Sequence, residues 1–284
     1  MLNNKVYFEK REGESKQIIL NTLGIPCSKL NYIEKIQSLY SSNHYFLKLE
    51  SSSTTPPIRT DYYHKSTDPD GLVRDALFES KEWEKNNVET INFVQDILTR
   101  NKVNSVLDFG CGPGWLLSSL KGNFRKVGIE NSKLARVEAG KYFDVYPSIS
   151  DISVNFDLII INHVIEHLVN PIEVMIKLSK LLASNGRLIV GTPNFASAMA
   201  MLFREKYRML NEPSHISLFS FDSILRLIRD LGLQIEACTE PFFEGPYFTK
   251  ENLLKIDSKL DVSPPFFGNF VLISARKMSK PDSE

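Results

Sequence analysis

The fold is decided by residues 106–114, which read VLDFGCGPG. A short apolar run, Ser105 to Phe109, has the length of a buried strand and leads directly into three glycines at alternate positions. Glycine is required where φ must be positive, or where the backbone must approach a ligand with no Cβ between them. A helical pattern over Trp115 to Leu120 follows, and its N-terminus offers free N–H groups. The stretch therefore predicts a tight turn from strand to helix, with a ligand at the carboxyl end of the strand.

Around this turn, strand and helix patterns alternate from residue 100 onward. The run FDLIII at 156–161 is apolar except for Asp157, as expected of a strand covered on both faces. Such alternation predicts a parallel, doubly wound sheet. No clear helix separates the last two strands, which favours an antiparallel hairpin at one edge. The predicted strands are Ser105–Phe109, Lys126–Glu130, Phe143–Tyr146, Phe156–Ile161, Gly186–Val190, Leu233–Cys238 and Phe270–Arg276, and the predicted helices are Phe78–Arg100, Trp115–Leu120, Ser132–Lys141, Ile172–Leu182 and Phe221–Leu231.

The composition is that of an ordinary globular protein, with 42% hydrophobic and 24% charged residues. Lys plus Arg and Asp plus Glu both number 34, so there is no basic excess to displace counterions from phosphates, and we expect no nucleic-acid partner. The three cysteines are odd in number and far apart, which gives no disulfide framework and favours a reducing compartment. The longest apolar stretches fall far short of the roughly 20 residues that span a bilayer. We therefore expect a cytoplasmic protein without a membrane partner.

The N-terminal residues 1–60 carry weaker signals and are predicted to form a partly helical extension. Tyr32 to Tyr40 can form a helix, and the polar, proline-ended segment Ser51 to Pro57 is typical of a loop or linker. The main domain is predicted at 61–284. Near its start lies Tyr62 to Lys65 (YYHK), which either closes over a bound ligand or forms an exposed aromatic turn.

Spacing within the glycine turn distinguishes two classes of nucleotide site. A dinucleotide fingerprint, GxGxxG, needs glycine at 115, where this chain has Trp115. The observed spacing is GxGxG, with Asp108 two residues ahead, and Glu130 follows sixteen residues after Gly114 at the end of the second strand. A carboxylate at that place can accept hydrogen bonds from both ribose hydroxyls of an adenosine. The alternative is a purely structural turn beside a solvated glutamate.

Several segments together resemble the class I S-adenosylmethionine-dependent methyltransferases, over roughly residues 90–277. VLDFGCGPG resembles their motif I, and VGIE at 127–130 resembles their motif II. FDLIIINHVIEHL at 156–168 is similar to their fourth-strand motif, and its ending is typical of the branch with ubiquinone-biosynthesis O-methyltransferases and many sugar and small-molecule enzymes. GRLIVGTPN at 186–194 resembles the same branch.

The resemblance implies both a fold and an activity. The fold is α/β, a Rossmann-like doubly wound seven-stranded sheet with an antiparallel edge strand and an N-terminal extension. The activity is transfer of a methyl group from S-adenosylmethionine to an oxygen, nitrogen or carbon of a small-molecule acceptor, such as a sugar or a secondary metabolite.

The resemblance also implies which residues contact the cofactor. The glycine turn lines its methionine and ribose parts, while Asp108 orders the turn and reaches the amino group. Glu130 binds the ribose, and Asn131 lies beside the adenine. Family members often place an aspartate after the third strand; this chain has Ser148 to Asp151 there, so Ile149 supplies an apolar wall and the polar contact stays open. The full implied set is Asp108, Gly110, Cys111, Gly112, Gly114, Glu130, Asn131, Ile149, Asn162 and His163.

The segment His163 to His167 (HVIEH) supports several interpretations. It matches an inverted zinc-protease signature, but that signature needs a helix with no glycine-rich turn upstream. Ubiquinone-type enzymes can hold a divalent metal in this region, but His163 replaces their first acidic ligand, and we assign no metal ligand. A neutral imidazole is suited to deprotonate a hydroxyl or amine near neutral pH.

Three histidines are therefore candidate catalytic bases. If a helix begins at the end of the fourth strand, His163 and His167 share one of its faces. His167 is the first choice because Glu166 adjoins it in sequence, and His163 and His215 follow. A structural role, capping a helix or strand, is the alternative for each.

Two rival functions stay open. Trp115 disfavours a nicotinamide-dependent oxidoreductase, and the intact glycine turn with Glu130 disfavours a non-catalytic scaffold. The insertion from Phe195 to Leu210 is rich in Ala and Met and predicts a packed lid helix rather than an anion site. The sequence leaves monomer and homodimer both open.

Overall fold

The computed structural model describes residues 23–50, 66–67, 73–74, 80–240, 249–258, 261–264 and 270–278. The predicted turn at Tyr62 to Lys65 and the predicted linker at Ser51 to Pro57 lie outside the described residues. The strands are β1 (Ile25–Cys27), β2 (Leu47–Leu49), β3 (Ser66–Thr67), β4 (Val73–Arg74), β5 (Ser105–Phe109), β6 (Arg125–Ile129), β7 (Asp144–Tyr146), β8 (Phe156–Asn162), β9 (Leu182–Pro193), β10 (Ser217–Leu218), β11 (Leu233–Thr239) and β12 (Phe270–Lys277). The α-helices are α1 (Tyr32–Ile36), α2 (Ser38–Ser41), α3 (Ser80–Asn86), α4 (Val88–Arg100), α5 (Trp115–Ser119), α6 (Lys133–Ala139), α7 (Pro171–Leu181), α8 (Ala198–Phe203), α9 (Phe221–Asp230) and α10 (Lys250–Ser258).

A seven-stranded sheet forms the centre of the molecule, in the order β7-β6-β5-β8-β9-β12-β11. The strands from β7 to β9 pair in parallel, so their carboxyl ends meet along one edge of the sheet. β12 runs antiparallel to both of its neighbours. The predicted fold class is confirmed.

The antiparallel pair predicted at one edge of the sheet is present, since the edge strand β11 pairs antiparallel with β12. Two details differ from the prediction. β12 is inserted between β9 and β11, so the reversed strand lies one place inside the sheet and β11 forms the edge. The chain also forms a helix, α10, in the segment that connects β11 to β12, where no helix was apparent in the sequence. Its Leu253 and Leu254 are both exposed, so α10 lacks the strong apolar stripe by which helices are recognised.

Two apolar layers cover the sheet, because neighbouring residues of a strand point to opposite faces. On β8, Ile159 and Ile161 belong to one cluster with α7 and α9, whereas Leu158 and Ile160 belong to another with α4 and α5. All four side chains are fully buried. Helices on both faces explain why FDLIII is apolar at every position except Asp157.

Residues 23–50 pack with the insertion that follows β9. β1, β2 and β10 form a small second sheet, in which β2 lies between the other two. Tyr32 is fully buried, and its hydroxyl donates a hydrogen bond to the carbonyl of Ala200 in α8 at 2.9 Å. The insertion starts where β9 ends, so this unit lies at the carboxyl edge of the central sheet. No helix among the described residues has the length and apolar character needed to cross a membrane.

Candidate active site

The glycine turn adopts the backbone that its sequence predicts. Gly110, Gly112 and Gly114 have φ of 80°, 54° and 89°, in the left-handed region that favours glycine. A Cβ at Gly110 would collide with the side chain of Val164, and one at Gly114 would approach Phe143 Cζ at 2.7 Å. The turn is therefore closely packed on both sides. Side chains are excluded at Gly110 and Gly114 by the positive φ and, separately, by the lack of space for a Cβ.

Glu130 holds the glycine turn in place. One carboxylate oxygen accepts a hydrogen bond from the backbone N–H of Gly112 at 3.0 Å, and the other accepts one from the N–H of Ser132 at 2.7 Å. The residue is 7% exposed. A carboxylate oxygen can accept more than one hydrogen bond. Glu130 thus fixes the glycine turn through both of its carboxylate oxygens.

Asp108 brings a second carboxyl group to the same place. It is almost completely buried, and this burial, with the Glu130 carboxylate as second cause, raises its pKa to about 7. Burial also raises the pKa of the Cys111 thiol, with Asp108 and Glu130 adding to the shift, so the thiol stays protonated. Two carboxyl groups close together favour a cationic ligand, because a positive charge stabilises both in ionised form.

The other predicted cofactor residues surround this turn. Asn131 is exposed directly after Glu130, and its carbonyl accepts a hydrogen bond from the Arg136 side chain at 2.6 Å. Ile149 is partly buried in a short 3₁₀ turn after β7. Asn162 ends β8, and its Oδ1 is buried without a hydrogen-bond partner. All ten predicted residues lie at the carboxyl ends of strands β5 to β8 or directly after them.

The HVIEH segment forms a different structure from the helix considered above. His163 follows β8 with φ of 53°, and only Ile165–His167 form a single 3₁₀ turn. His163 and His167 therefore do not share a helical face. The side chain of Glu166 is instead fully buried, and its two oxygens bind His163 Nδ1 and Thr192 Oγ1, each at 3.2 Å.

His167 and His215 pack against each other, with ring centroids 4.7 Å apart. His167 Nδ1 lies 3.1 Å from the carbonyl of Ser214, and His215 Nδ1 lies 2.6 Å from the carbonyl of Met209. Because a carbonyl can only accept, both Nδ1 atoms carry protons. His215 Nε2 lies 4.0 Å from a Glu166 oxygen. The structure thus brings all three predicted histidines into one cluster around Glu166.

The environment of this cluster lowers the pKa values of both Glu166 and His215. Burial pushes the pKa of Glu166 up, but the hydrogen bond from His163 and the nearby charges of His167, His163 and His215 outweigh it and hold the pKa at about 2. Burial lowers the pKa of His215 to about 3, with the neighbouring His167 as second cause. Near neutral pH, Glu166 is therefore ionised and His215 is neutral.

Among the described residues, one group has the composition of a metal site. Glu166, His167 and His215 each offer a ligand atom, and these atoms lie within 4.8 Å of one another. Both Glu166 oxygens already accept hydrogen bonds from His163 and Thr192. The Glu166 oxygen that lies 4.0 Å from His215 Nε2 is the one that His163 binds, and we assign no metal ligand here.

Sequence reasoning missed the pairing of Glu166 with His163. The sequence analysis associated Glu166 with His167, its neighbour in the chain. In the structure Glu166 binds His163, which lies three residues before it. A signal was present, because side chains three residues apart often meet where a chain turns tightly. The hydrogen bond from Thr192 to Glu166 had no comparable signal in the sequence, since Thr192 belongs to a different strand, β9.

Comparisons with known proteins agree with this geometry. The sequence profile of the family described as "Methyltransferase domain" matches residues 83–237, which is more than half of the chain. No curated protein sequence matches the chain.

Solved structures also resemble the chain. The plantazolicin methyltransferase BpumL, in complex with a triazolic desmethylPZN analog and SAH, has a TM-score of 0.53 at 16% identity, covering 87% of this chain and 99% of that one. An SAM-dependent methyltransferase from Thermotoga maritima has a TM-score of 0.51 at 19% identity, covering 70% and 95%. An O-methyltransferase family protein from Burkholderia thailandensis has a TM-score of 0.52 at 12% identity, covering 73% and 61%. At these identities the likeness shows a shared fold.

Proposed function

The chain belongs to the family of methyltransferase domains, and from this premise we propose that it transfers the methyl group of S-adenosylmethionine to a small-molecule acceptor. One observation carries the proposal: Glu130 is fixed beside the glycine turn by the N–H groups of Gly112 and Ser132, and a carboxylate at that place can accept hydrogen bonds from ribose hydroxyls. Asp108 adds a carboxyl group that favours the positive charge of the cofactor.

The protein forms no covalent bond to the substrate in this reaction. The acceptor's lone pair forms a bond to the methyl carbon while the carbon–sulfur bond breaks, and its electron pair returns to sulfur. The cofactor is already activated, so the protein contributes alignment, proximity and exclusion of water. A hydroxyl or amine acceptor must also lose a proton, and His167, His163 and His215 are the candidate bases, clustered after β8 and in the insertion.

A small acceptor suits the surroundings of the site. Residues 23–50 and the insertion after β9 form one apolar unit at the carboxyl edge of the sheet, which favours an enclosed acceptor site over an open one. The net charge of zero argues against a nucleic-acid substrate. The similar BpumL was crystallised with a triazolic desmethylPZN analog and SAH. The three cysteines are free, which supports our proposal of a cytoplasmic location.

Calorimetry with S-adenosylhomocysteine and with NADH tests the cofactor. We expect micromolar binding of S-adenosylhomocysteine and none of NADH; the reverse would indicate an oxidoreductase. Gly110→Ala should abolish binding because the new Cβ collides with the side chain of Val164, and the glycine turn must move to relieve the collision. Gly232→Ala is a matched control, because its φ of 77° imposes similar backbone strain while nothing lies within 4 Å of the added Cβ.

The acceptor can be found by incubating the protein and labelled S-adenosylmethionine with a metabolite extract. A labelled small product that appears with wild type and not with Gly110→Ala would identify it. Cofactor binding with no product from any extract would favour the scaffold alternative.

A further inference from the structure

We propose that Glu166 is a positioning residue that holds His163 as the base of the reaction, with His163 Nε2 receiving the acceptor's proton. This inference rests on the proposed methyl transfer and names the group that handles its proton. It differs from the expectation based on sequence, which ranked His167 first.

The hydrogen bond between Glu166 and His163 fixes which ring nitrogen is protonated. Glu166 is fully buried and ionised, so its Oε1 can only accept, and His163 Nδ1 must donate at 3.2 Å. The lone pair of the neutral ring then lies on Nε2, on the side of the ring away from Glu166. Thr192 Oγ1 binds the other oxygen, so the carboxylate cannot rotate freely. The ring is therefore held in the form that a general base needs.

The backbone at His163 is held in an unfavourable conformation. Its φ of 53° is uncommon for residues other than glycine, and such conformations persist where the surrounding structure enforces them, often at active sites. The surroundings here are a hydrogen bond from the His163 N–H to the carbonyl of Gly191 at 2.9 Å and packing of the ring on Phe270, with centroids 5.4 Å apart. Backbone and ring are thus both fixed.

His163 also lies next to the cofactor site. It immediately precedes Val164, whose side chain contacts Gly110 in the glycine turn. Its side chain is 30% exposed, whereas that of His215 is 7% exposed. His167 is paired with His215 and bound to the carbonyl of Ser214, on the side of the insertion.

The proton transfer is balanced within this dyad. As the methyl group reaches the acceptor's oxygen or nitrogen, the acceptor's proton moves to Nε2, and His163 becomes an imidazolium. The Glu166 carboxylate faces that new charge. The other titratable groups near Glu166 are His167 and His215, and Glu166 stays ionised throughout.

Nitrogen-15 NMR of histidine-labelled full-length protein with S-adenosylhomocysteine tests the dyad without any acceptor. His163→Asn assigns the His163 signals, and Asn is chosen because it tolerates positive φ. We expect a neutral ring protonated at Nδ1. In Glu166→Gln the preference for the Nδ1-protonated form should weaken, because an amide group can donate as well as accept. An Nε2-protonated ring in the wild type, or an unchanged tautomer ratio in Glu166→Gln, would overturn the proposal.

Turnover provides the second measurement, using the acceptor that the labelled extract identifies. We expect kcat to fall roughly a hundredfold in His163→Asn, the usual scale for a lost base, and about tenfold or more in Glu166→Gln. The double variant should be no slower than His163→Asn, since the two residues act together. KM for the cofactor should change little. Glu173→Gln is the control, an exposed carboxylate paired with Lys177.

Failure of the proposed function and failure of the proposed role of Glu166 give different results. If wild type fails to bind S-adenosylhomocysteine, the proposed function itself is wrong. If methyl transfer proceeds with Glu166→Gln at the wild-type rate and Tm, only the positioning role is wrong. Activity lost on dialysis against EDTA and restored by Mg²⁺ or Zn²⁺ would make Glu166 a metal ligand and overturn the proposal.

Discussion

At the scale of single residues, Glu130 holds the glycine turn and is also the ribose acceptor that we propose. Its two oxygens bind the N–H groups of Gly112 and Ser132, so the carboxylate is fixed in place by the protein itself. A preformed site loses less conformational freedom on binding than one that must be ordered by its ligand. The motif predicted the position of Glu130 but not its bond to the turn.

Glu130→Gln should weaken binding of S-adenosylhomocysteine by at least about tenfold. Charge-assisted hydrogen bonds contribute about 1.5–3 kcal/mol each, and 1.4 kcal/mol corresponds to a factor of ten. Calorimetry measures the Kd, and Tm checks that the turn still folds. Glu251→Gln, on an exposed helix position, should leave the Kd unchanged. An unchanged Kd in Glu130→Gln would place the ribose elsewhere.

Asp108 should make cofactor affinity depend on pH. Its pKa is raised from an ordinary value near 3.8 to about 7, so the folded protein binds this proton more tightly than the unfolded chain does. The contribution of Asp108 to the free energy of unfolding therefore falls as pH rises from about 4 to about 7. S-adenosylmethionine is cationic at its sulfonium and amino groups and favours the ionised carboxylate. Its affinity should rise with pH up to about 7, by at most about tenfold per unit, and level off above.

Calorimetry between pH 5.5 and 8.5 checks this prediction. Asp108→Asn should bind more weakly at pH 8 and show a flatter profile, because the titrating group is gone. Equal slopes in the two proteins would assign the pH dependence to another group.

At the scale of elements, α9 shows how local sequence fixes a boundary. Ser220 Oγ accepts a hydrogen bond from the N–H of Ser223, while Ser223 Oγ accepts one from the N–H of Ser220. This reciprocal cap satisfies two donors that a helix N-terminus otherwise leaves free. It explains why the predicted start of the helix at Phe221 is correct.

Ser220→Ala should lower the free energy of unfolding by about 0.5–2 kcal/mol, the range for a lost N-cap. Urea unfolding followed by circular dichroism measures it. Thr99→Ala removes another helical hydroxyl, at an exposed position, and should change the value by less than about 0.5 kcal/mol. Equal losses in the two variants would mean that the cap has no special role.

The elements that sequence reasoning missed lack local signals. The seven strands of the central sheet were predicted because buried strands read as apolar runs. The helix α10 was missed because its leucines face solvent, and the position of β12 was missed because strand order depends on pairing between distant residues. The contacts of Glu166 with Thr192 and His215 were missed because those partners come from β9 and from the insertion, whereas its third partner, His163, is local. The predicted cofactor residues follow a local motif, whereas the histidine cluster is assembled by the fold.

At the scale of the whole molecule, the N-terminal segment and the insertion share one apolar cluster. Cys27, Tyr32 and Leu39 pack with Phe195 and other side chains of the insertion. Tyr45 adds a hydrogen bond from its hydroxyl to Asp230 at 2.8 Å. The predicted boundary at residue 60 therefore separates residues that support each other.

A chain that begins at residue 61 should unfold at a lower Tm than the full chain, because the insertion loses its apolar cover. Its affinity for S-adenosylhomocysteine should stay within a few-fold, since Glu130 fixes the glycine turn through Gly112 and Ser132, which the shortened chain retains. Differential scanning calorimetry and titration calorimetry measure the two quantities. An unchanged Tm would show that residues 61–284 fold independently.

The position of β12 has a consequence for the order of events during synthesis. β9 is paired on one side by β8 and on the other by β12, through seven residue pairs from Phe270 to Arg276. Until residue 277 has left the ribosome, β9 is an open edge, and β11 has no strand through which to join the sheet. An open edge is a template for pairing with another chain. A nascent or truncated chain is thus most exposed to aggregation just before β12 closes this edge of the sheet, and chaperone contact should matter most at that moment.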